Sequence, residues 1–90
     1  MFALGAPVSI KFAVHKLVAR ENLRRAENGD PPLTQQEIAR GAGVSQPVIS
    51  TILRRKATRV DLNTINGLCD FFKIQPGDLF EYAPDDEESP

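Results

Sequence analysis

The 90-residue chain has very few of the residues that form catalytic or metal sites. It contains one cysteine, one histidine and no tryptophan. Cys69 has no second cysteine with which to form an intramolecular disulfide or a cysteine-rich metal site, and its helical spacing indicates a small buried side chain. His15 has no second ligand or nucleophile to work with, and there is no glycine-rich phosphate loop. The sequence therefore predicts no enzyme, no metal site and no cofactor.

Long hydrophobic runs are also missing. No apolar stretch approaches the length of a membrane-spanning helix, and residues 1–6 (MFALGA) lack the basic region and the apolar core of a signal peptide. We therefore expect a cytoplasmic protein. Ninety residues are enough for one domain with a small core, so dimerisation would help to stabilise it.

The net charge of −1 conceals an uneven distribution. Up to Phe80 there are eleven basic and seven acidic residues, whereas the other five acidic residues all follow Phe80. Residues 83–90 (APDDEESP) are acidic, bounded by proline and without periodicity, which predicts a disordered tail. We expect a flexible arm at residues 1–7, a folded domain at 8–82 and this tail at 83–90. Up to Phe80 the folded part is then basic, by about four charges.

Residues 33–56 (LTQQEIARGAGVSQPVISTILRRK) predict two short helices joined by a tight turn. Thr34 and Glu37 have the spacing of a capping box, and Gly43 stands where a helix would end in a left-handed residue. Ser45 is a suitable cap for the second helix, and Pro47 falls in its first turn, where a missing N–H costs no helical bond. We predict a helix-turn-helix motif at residues 34–54.

The second helix of this motif has two chemically different faces. At about 100° per residue, one face carries the apolar side chains of Val48, Ile49, Ile52 and Leu53. The opposite face carries Gln46, Pro47, Ser50, Thr51 and Arg54. An amide, hydroxyls and methyl groups suit the base edges of a DNA major groove, although an ordinary solvated helix face would have a similar composition.

The flanking segments predict a helical domain closed by a short sheet. Residues 8–12 (VSIKF) alternate as a strand does, and a helix is expected from about residue 13 to 28. Asp61 should cap a helix with a buried stripe of Leu62, Ile65, Leu68, Cys69 and Phe72, and Pro76 should begin a last short helix. A two-stranded sheet between residues 9–12 and 80–82 would join the two ends of the domain.

The segments TQQEIARGAGVSQPVISTIL and DLNTINGLCDFFKIQPGDLFEY together resemble small, single-domain members of the Cro/phage-repressor family. The motif of that family typically reads T-Q-x-E-[ILV]-A…G-[VI]-S-x-x-x-[IV]-S, and the resemblance covers about residues 33–82. It implies an all-α fold with five helices and a transcriptional regulator, a repressor in our interpretation, that binds DNA. The first helix and its exit are longer than in these relatives by about half a dozen residues.

By this resemblance, two sets of residues would contact DNA. The residues expected to read bases are Gln46, Pro47, Ser50 and Thr51. The residues expected to bind phosphates are Gln35, Gln36, Ser45, Arg54, Arg55, Lys56 and Arg59, with the helix N-terminus assisting the two glutamines. Pro47 cannot form a side-chain hydrogen bond, and Thr51 replaces a long basic residue of many relatives. Readout should therefore depend more on methyl contacts and DNA shape.

The resemblance further implies a homodimer on an inverted-repeat operator, with two recognition helices about 34 Å apart. The candidate interface residues are Phe71, Phe80, Tyr82 and Leu23, although the three aromatic residues on their own favour closure of the core over an interface. The second apolar stripe of the first helix, which includes Leu23, could instead cover the N-terminal arm. The alternative function is an antitoxin-like or adaptor module that binds another protein. The acidic tail would solubilise the chain, compete with DNA or dock onto such a partner.

Overall fold

The computed structural model describes residues 10–82, so the expected arm, the expected tail, Val8 and Ser9 lie outside the described residues. This part of the chain contains four α-helices, one 3₁₀ turn and one two-stranded sheet. Their order is β1 (Ile10–Phe12), α1 (Val14–Glu27), α2 (Gln35–Ala42), α3 (Gln46–Leu53), α4 (Leu62–Phe72), the 3₁₀ turn (Pro76–Asp78) and β2 (Phe80–Tyr82). None of these helices is long and apolar enough to cross a membrane.

The sheet joins the two ends of the described chain, as the alternation of residues predicted. β1 pairs antiparallel with β2, with Ile10 opposite Tyr82 and Phe12 opposite Phe80. The rings of Phe12 and Phe80 pack with their centroids 4.8 Å apart. Because side chains alternate along a strand, these four residues share one face of the sheet, and Lys11 and Glu81 lie on the other.

The core lies between the four helices and the sheet. Its fully buried side chains are Val14, Ile38, Ile49, Ile52, Leu68 and Leu79. Burying each such side chain stabilises the fold by about 1.5–3 kcal/mol relative to leaving it exposed. α2 packs against both α3 and α4, and it approaches α4 closely at Gly67, where a Cβ would lie 2.0 Å from the Ala42 carbonyl oxygen. The inner face of α3 is thus packed against the core through Ile49 and Ile52.

The structure differs from the predicted stripe of α4. Leu68 is fully buried and Phe72 is half-buried, but Leu62 is 80% exposed, because it is the first residue of the helix and lies beyond the core. Phe71, which is not a member of that predicted stripe, is half-buried. Its ring lies directly over Gly41 of α2, where no side chain separates the two helices.

The segment predicted as a fifth helix forms a single 3₁₀ turn, Pro76–Asp78. Lys73 ends α4 in a left-handed conformation with φ 59°, and β2 already begins at Phe80. Only a few residues therefore remain between the two elements. The N–H of Ala13 donates to the carbonyl oxygen of Leu79 at 2.8 Å and so ties this turn to the start of α1.

Candidate nucleic-acid interface

The N-terminus of α2 has the predicted capping box. The Glu37 N–H donates to Oγ1 of Thr34 at 3.1 Å, and the Thr34 N–H donates to Oε1 of Glu37 at 3.2 Å. Gln35 and Gln36 follow the cap with exposed side chains. Their backbone N–H groups belong to the first turn, which has no intrahelical acceptors, so this end of the helix suits a phosphate oxygen.

An ion-pair chain fixes α2 against α1. Arg25 donates to Glu21 at 3.0 Å and to Glu37 at 3.3 Å, so one guanidinium connects the two helices. Hydrogen bonds from Arg24 and Arg25 lower the pKa of Glu21 to about 2. Arg25 also lowers the pKa of Glu37, and both carboxylates are therefore ionised at neutral pH.

The turn between α2 and α3 follows the prediction in its backbone but not in one side chain. Gly43 is left-handed with φ 70°, a conformation that glycine adopts without a Cβ clash. Ser45 occupies the cap position of α3 with an extended backbone, yet its hydroxyl forms no capping hydrogen bond. Ser45 is exposed, so its hydroxyl remains available to a ligand at this helix end.

α3 has one buried apolar face and one exposed polar face, and most of its residues lie on the face that the sequence predicted. Ile49 and Ile52 are buried, Gln46 and Pro47 are exposed, and Ser50 is half-buried on the outer side. Val48 differs from the prediction, because it is 40% exposed rather than part of the core. This exposure places an aliphatic group at the edge of the polar face.

The hydroxyl of Thr51 already has a partner within the helix. Its Oγ1 donates to the Pro47 carbonyl oxygen at 3.0 Å. The proton is thus engaged, and Thr51 can offer a base only a hydroxyl lone pair and its methyl group.

Three cations follow α3 without a carboxylate partner among residues 10–82. They are Arg54, Lys56 and Arg59, and all three are exposed. Lys56 and Arg59 line a shallow groove of about 380 Å³ together with Pro47 and Thr51. Thr58 lines the same groove, although no pattern in the sequence singles it out. The polar face of α3 is therefore continuous with unpaired positive charge.

Arg55 is placed differently from its three neighbours. Its backbone is left-handed with φ 59°, and its Nη2 donates to Oε2 of Glu81 at 2.7 Å. Glu81 also accepts a hydrogen bond from Lys16, which is the main cause of its lowered pKa. Glu81 thus connects β2, α1 and the end of α3. Because 26 residues separate Arg55 from Glu81, no local sequence pattern indicates this pair.

The four candidate interface residues occupy two different environments. Phe71 and Phe80 are half-buried and pack against the core, whereas Tyr82 and Leu23 are 71% and 63% exposed. Leu23 lies on α1, about 14 Å along the helix axis from Val14. In the described part of the chain, no cluster of three His, Cys, Asp or Glu side chains is placed to hold a metal ion.

A capped helix, a glycine turn and a second helix with a polar outer face together define a helix-turn-helix domain. Comparison with known protein families agrees with this description. Residues 29–85 match the family described as the Cro/C1-type HTH DNA-binding domain. The chain belongs to this family.

One curated relative is 29% identical over 51 residues, an uncharacterized HTH-type transcriptional regulator, YozG, of Bacillus subtilis (strain 168). The aligned region covers 57% of this chain and 61% of that relative, so the chain spans less than two thirds of its length. No solved structure gives a significant match.

Proposed function

We propose that this protein is a sequence-specific transcriptional regulator that binds an inverted-repeat operator as a homodimer and acts as a repressor. The observation that carries this proposal is the outer surface of α3. This surface is small and polar, the opposite face of the helix is buried in the core, and three cations that no described carboxylate neutralises lie beside it. The family match and the HTH-type transcriptional regulator similar to this chain support the same function.

Four side chains of α3 would read bases. The amide of Gln46 can form two hydrogen bonds with adenine, and the Ser50 hydroxyl can donate or accept. The Pro47 ring and the Thr51 methyl group can contact thymine methyl groups. The hydrogen bond between Thr51 and the Pro47 carbonyl oxygen holds this methyl group in one orientation. Readout would thus combine one amide, one hydroxyl and an apolar surface.

Phosphate contacts would position α3 in the groove without reading sequence. Arg54, Lys56 and Arg59 would neutralise phosphates on one side, and Gln35, Gln36 and Ser45 would bind through helix N-termini and a free hydroxyl. Three neutralised phosphates correspond to a slope of about −2.7 in log K against log salt. Arg55, which the sequence placed in this set, would instead hold the loop through Glu81.

Repression would follow from occupancy. A domain bound in the major groove excludes other proteins from the same DNA, and two copies about 34 Å apart would cover two half-sites on one face of the duplex. Such a regulator would act in the cytoplasm, at the nucleoid. The acidic residues 83–90 would contact a protein partner or remain as a solubilising tail.

Selection from random duplexes tests the proposal and identifies the operator at the same time. We expect the wild-type protein to enrich an inverted repeat whose half-sites are about 10 base pairs apart. The variant Gln46→Ala with Ser50→Ala should keep the helical circular dichroism spectrum and lose the enriched sequence. If the wild-type protein enriches no sequence, the proposal is wrong, and capture of a stable protein partner would favour the adaptor function.

A further inference from the structure

An uncovered apolar surface lies beside the proposed DNA-reading helix. Its members are Ile10, Val60, Leu62 and Tyr82, and we refer to them as the strand–loop face. They are respectively 61%, 36%, 80% and 71% exposed, which is high for large apolar side chains. Single exposed apolar residues are common on protein surfaces, but a contiguous group indicates an interaction site.

The strand–loop face is contiguous. Ile10 and Tyr82 are opposite each other in the sheet, so their side chains lie on the same side as the packed rings of Phe12 and Phe80 and extend that apolar surface outwards. Ile10 and Val60 both line a groove of about 220 Å³. Leu62 follows Val60 by two residues at the start of α4.

This surface also reaches the recognition helix. Val60 lines a second groove together with Val48, Arg59, Asp61 and Thr64. Val48 belongs to α3 and is itself 40% exposed. The apolar surface therefore runs from the sheet, across the loop before α4, to the edge of the polar face of α3.

Two opposite charges flank the centre of this surface. Arg59 and Asp61 stand on either side of Val60 along the chain, and no carboxylate among residues 10–82 pairs with Arg59. Asp61 caps α4 by accepting the Thr64 N–H at 2.8 Å. Hydrogen bonds from Thr64 lower the pKa of Asp61, so it is ionised at neutral pH.

We propose that the strand–loop face binds a second copy of this chain across a two-fold axis near Val60. A two-fold interface uses the same patch on both protomers and must be self-complementary. The sequence Arg59-Val60-Asp61 meets this condition, because Arg59 of one protomer then faces the partner's Asp61 and the reverse pair forms by symmetry. Val60 and Leu62 meet their own counterparts. A partner of a single charge sign would leave one of the two charges unpaired.

This inference deepens the homodimer of the proposed function and has two consequences for it. Arg59 would pair across the interface, which leaves Arg54 and Lys56 as the main phosphate-binding cations. An apolar patch of a few hundred Å² is also at the small end of specific interfaces. The dimer should therefore dissociate at concentrations on the order of micromolar.

Sedimentation equilibrium of the full chain, from about 1 μM to 1 mM, tests the interface with a matched pair of substitutions. Leu62→Glu should weaken dimerisation at least tenfold, whereas Leu23→Glu should leave it unchanged. Both changes place a carboxylate at a largely exposed leucine, but Leu23 is on α1, outside the strand–loop face. An acidic residue in the first turn of α4 favours the helix, so Leu62→Glu should fold, which a thermal melt checks.

A second pair tests the charges. Arg59→Glu should weaken the dimer several-fold because it faces the partner's Asp61 with like charge, whereas Arg54→Glu should not. The inference is overturned if the wild-type chain is monomeric at every concentration, if Leu62→Glu dimerises as tightly as wild type, or if the two arginine variants behave alike.

Anisotropy on operator and scrambled duplexes, measured with the same proteins, separates this inference from the proposed function. If the wild-type chain is a monomer that still discriminates its operator, the proposed interface is wrong and the proposed sequence-specific regulator stands. If the chain forms a stable dimer that binds operator and scrambled duplexes equally, the proposed sequence-specific regulator is wrong and the proposed interface stands.

Discussion

The close approach of α2 and α4 makes Gly67 the most sensitive small residue of the domain. A Cβ at this position would lie 2.0 Å from the carbonyl oxygen of Ala42 and 3.0 Å from its carbonyl carbon. Two effects of Gly67→Ala oppose each other. Alanine favours the helix by about 1 kcal/mol, whereas overpacking costs about 1–3 kcal/mol. Because the overlapping atom belongs to the backbone and cannot rotate away, we expect the upper end of that range.

The expected net result is a loss of about 2 kcal/mol in the free energy of unfolding, which lowers the melting temperature of a domain of this size by about 8–16 °C. DNA discrimination should weaken as well, because Ala42 is the last residue of α2 and precedes the turn at Gly43. Thermal unfolding followed by circular dichroism measures the first effect, and anisotropy on operator and scrambled duplexes measures the second.

Gly41→Ala provides the control. A Cβ there would lie 2.3 Å from Cδ1 of Phe71, but this neighbour is a half-buried side chain that can rotate. The loss of stability should therefore be smaller than for Gly67→Ala. The packing argument is wrong if Gly67→Ala is as stable as the wild-type protein, or if Gly41→Ala is the more damaging of the two.

Three further predictions concern the reading face, the loop and the motif. Gln46→Ala should reduce discrimination between operator and random DNA by about 1–3 kcal/mol. Arg54→Ala should weaken binding to all sequences alike and lower the slope of log K against log salt by about one. Anisotropy with both duplexes at several salt concentrations measures both effects, and the assigned roles are wrong if Arg54→Ala loses discrimination while Gln46→Ala lowers the salt slope. Glu81→Gln should destabilise the protein at neutral pH by about 1–2 kcal/mol, because the lowered pKa of Glu81, mainly due to Lys16, adds stability above the ordinary glutamate pKa. That stability is lost as the pH falls through the lowered pKa, so urea unfolding should show the two proteins converging at acidic pH; a difference that does not change with pH would refute the linkage. Thr34→Ala should cost about 1 kcal/mol through loss of the α2 cap, and an unchanged melting temperature would show that the capping box contributes little.

The motif was predictable because its signals are local. The capping box at Thr34, the left-handed Gly43, the cap at Asp61 and the ends of the sheet each depend on residues within a few positions or on simple alternation. The structure confirms all of them within residues 10–82. The resemblance to the Cro/phage-repressor family used the same residues, and the family match agrees with it.

The differences arose where a position depends on distant parts of the chain. Leu62 fits the apolar period of α4, but the first turn of that helix extends beyond the core, and only tertiary packing determines this. Arg55 belongs to the basic run by sequence, yet β2 brings Glu81 against it. Ser45 has the right identity and position for a cap, but its hydroxyl makes no capping bond. Periodicity assigns a residue to a face of its own helix and does not show what that face meets.

The most direct test of the central claim is fluorescence anisotropy of the wild-type protein on the duplex that it selects and on a scrambled duplex of equal composition. Titrations of both duplexes at several salt concentrations separate the contribution of phosphate contacts to the affinity from the contribution of base reading. We predict tight binding to the selected duplex, weak binding to the scrambled one, and a loss of affinity for both as salt increases. Equal affinity for the two duplexes would contradict sequence-specific recognition and leave only a basic surface.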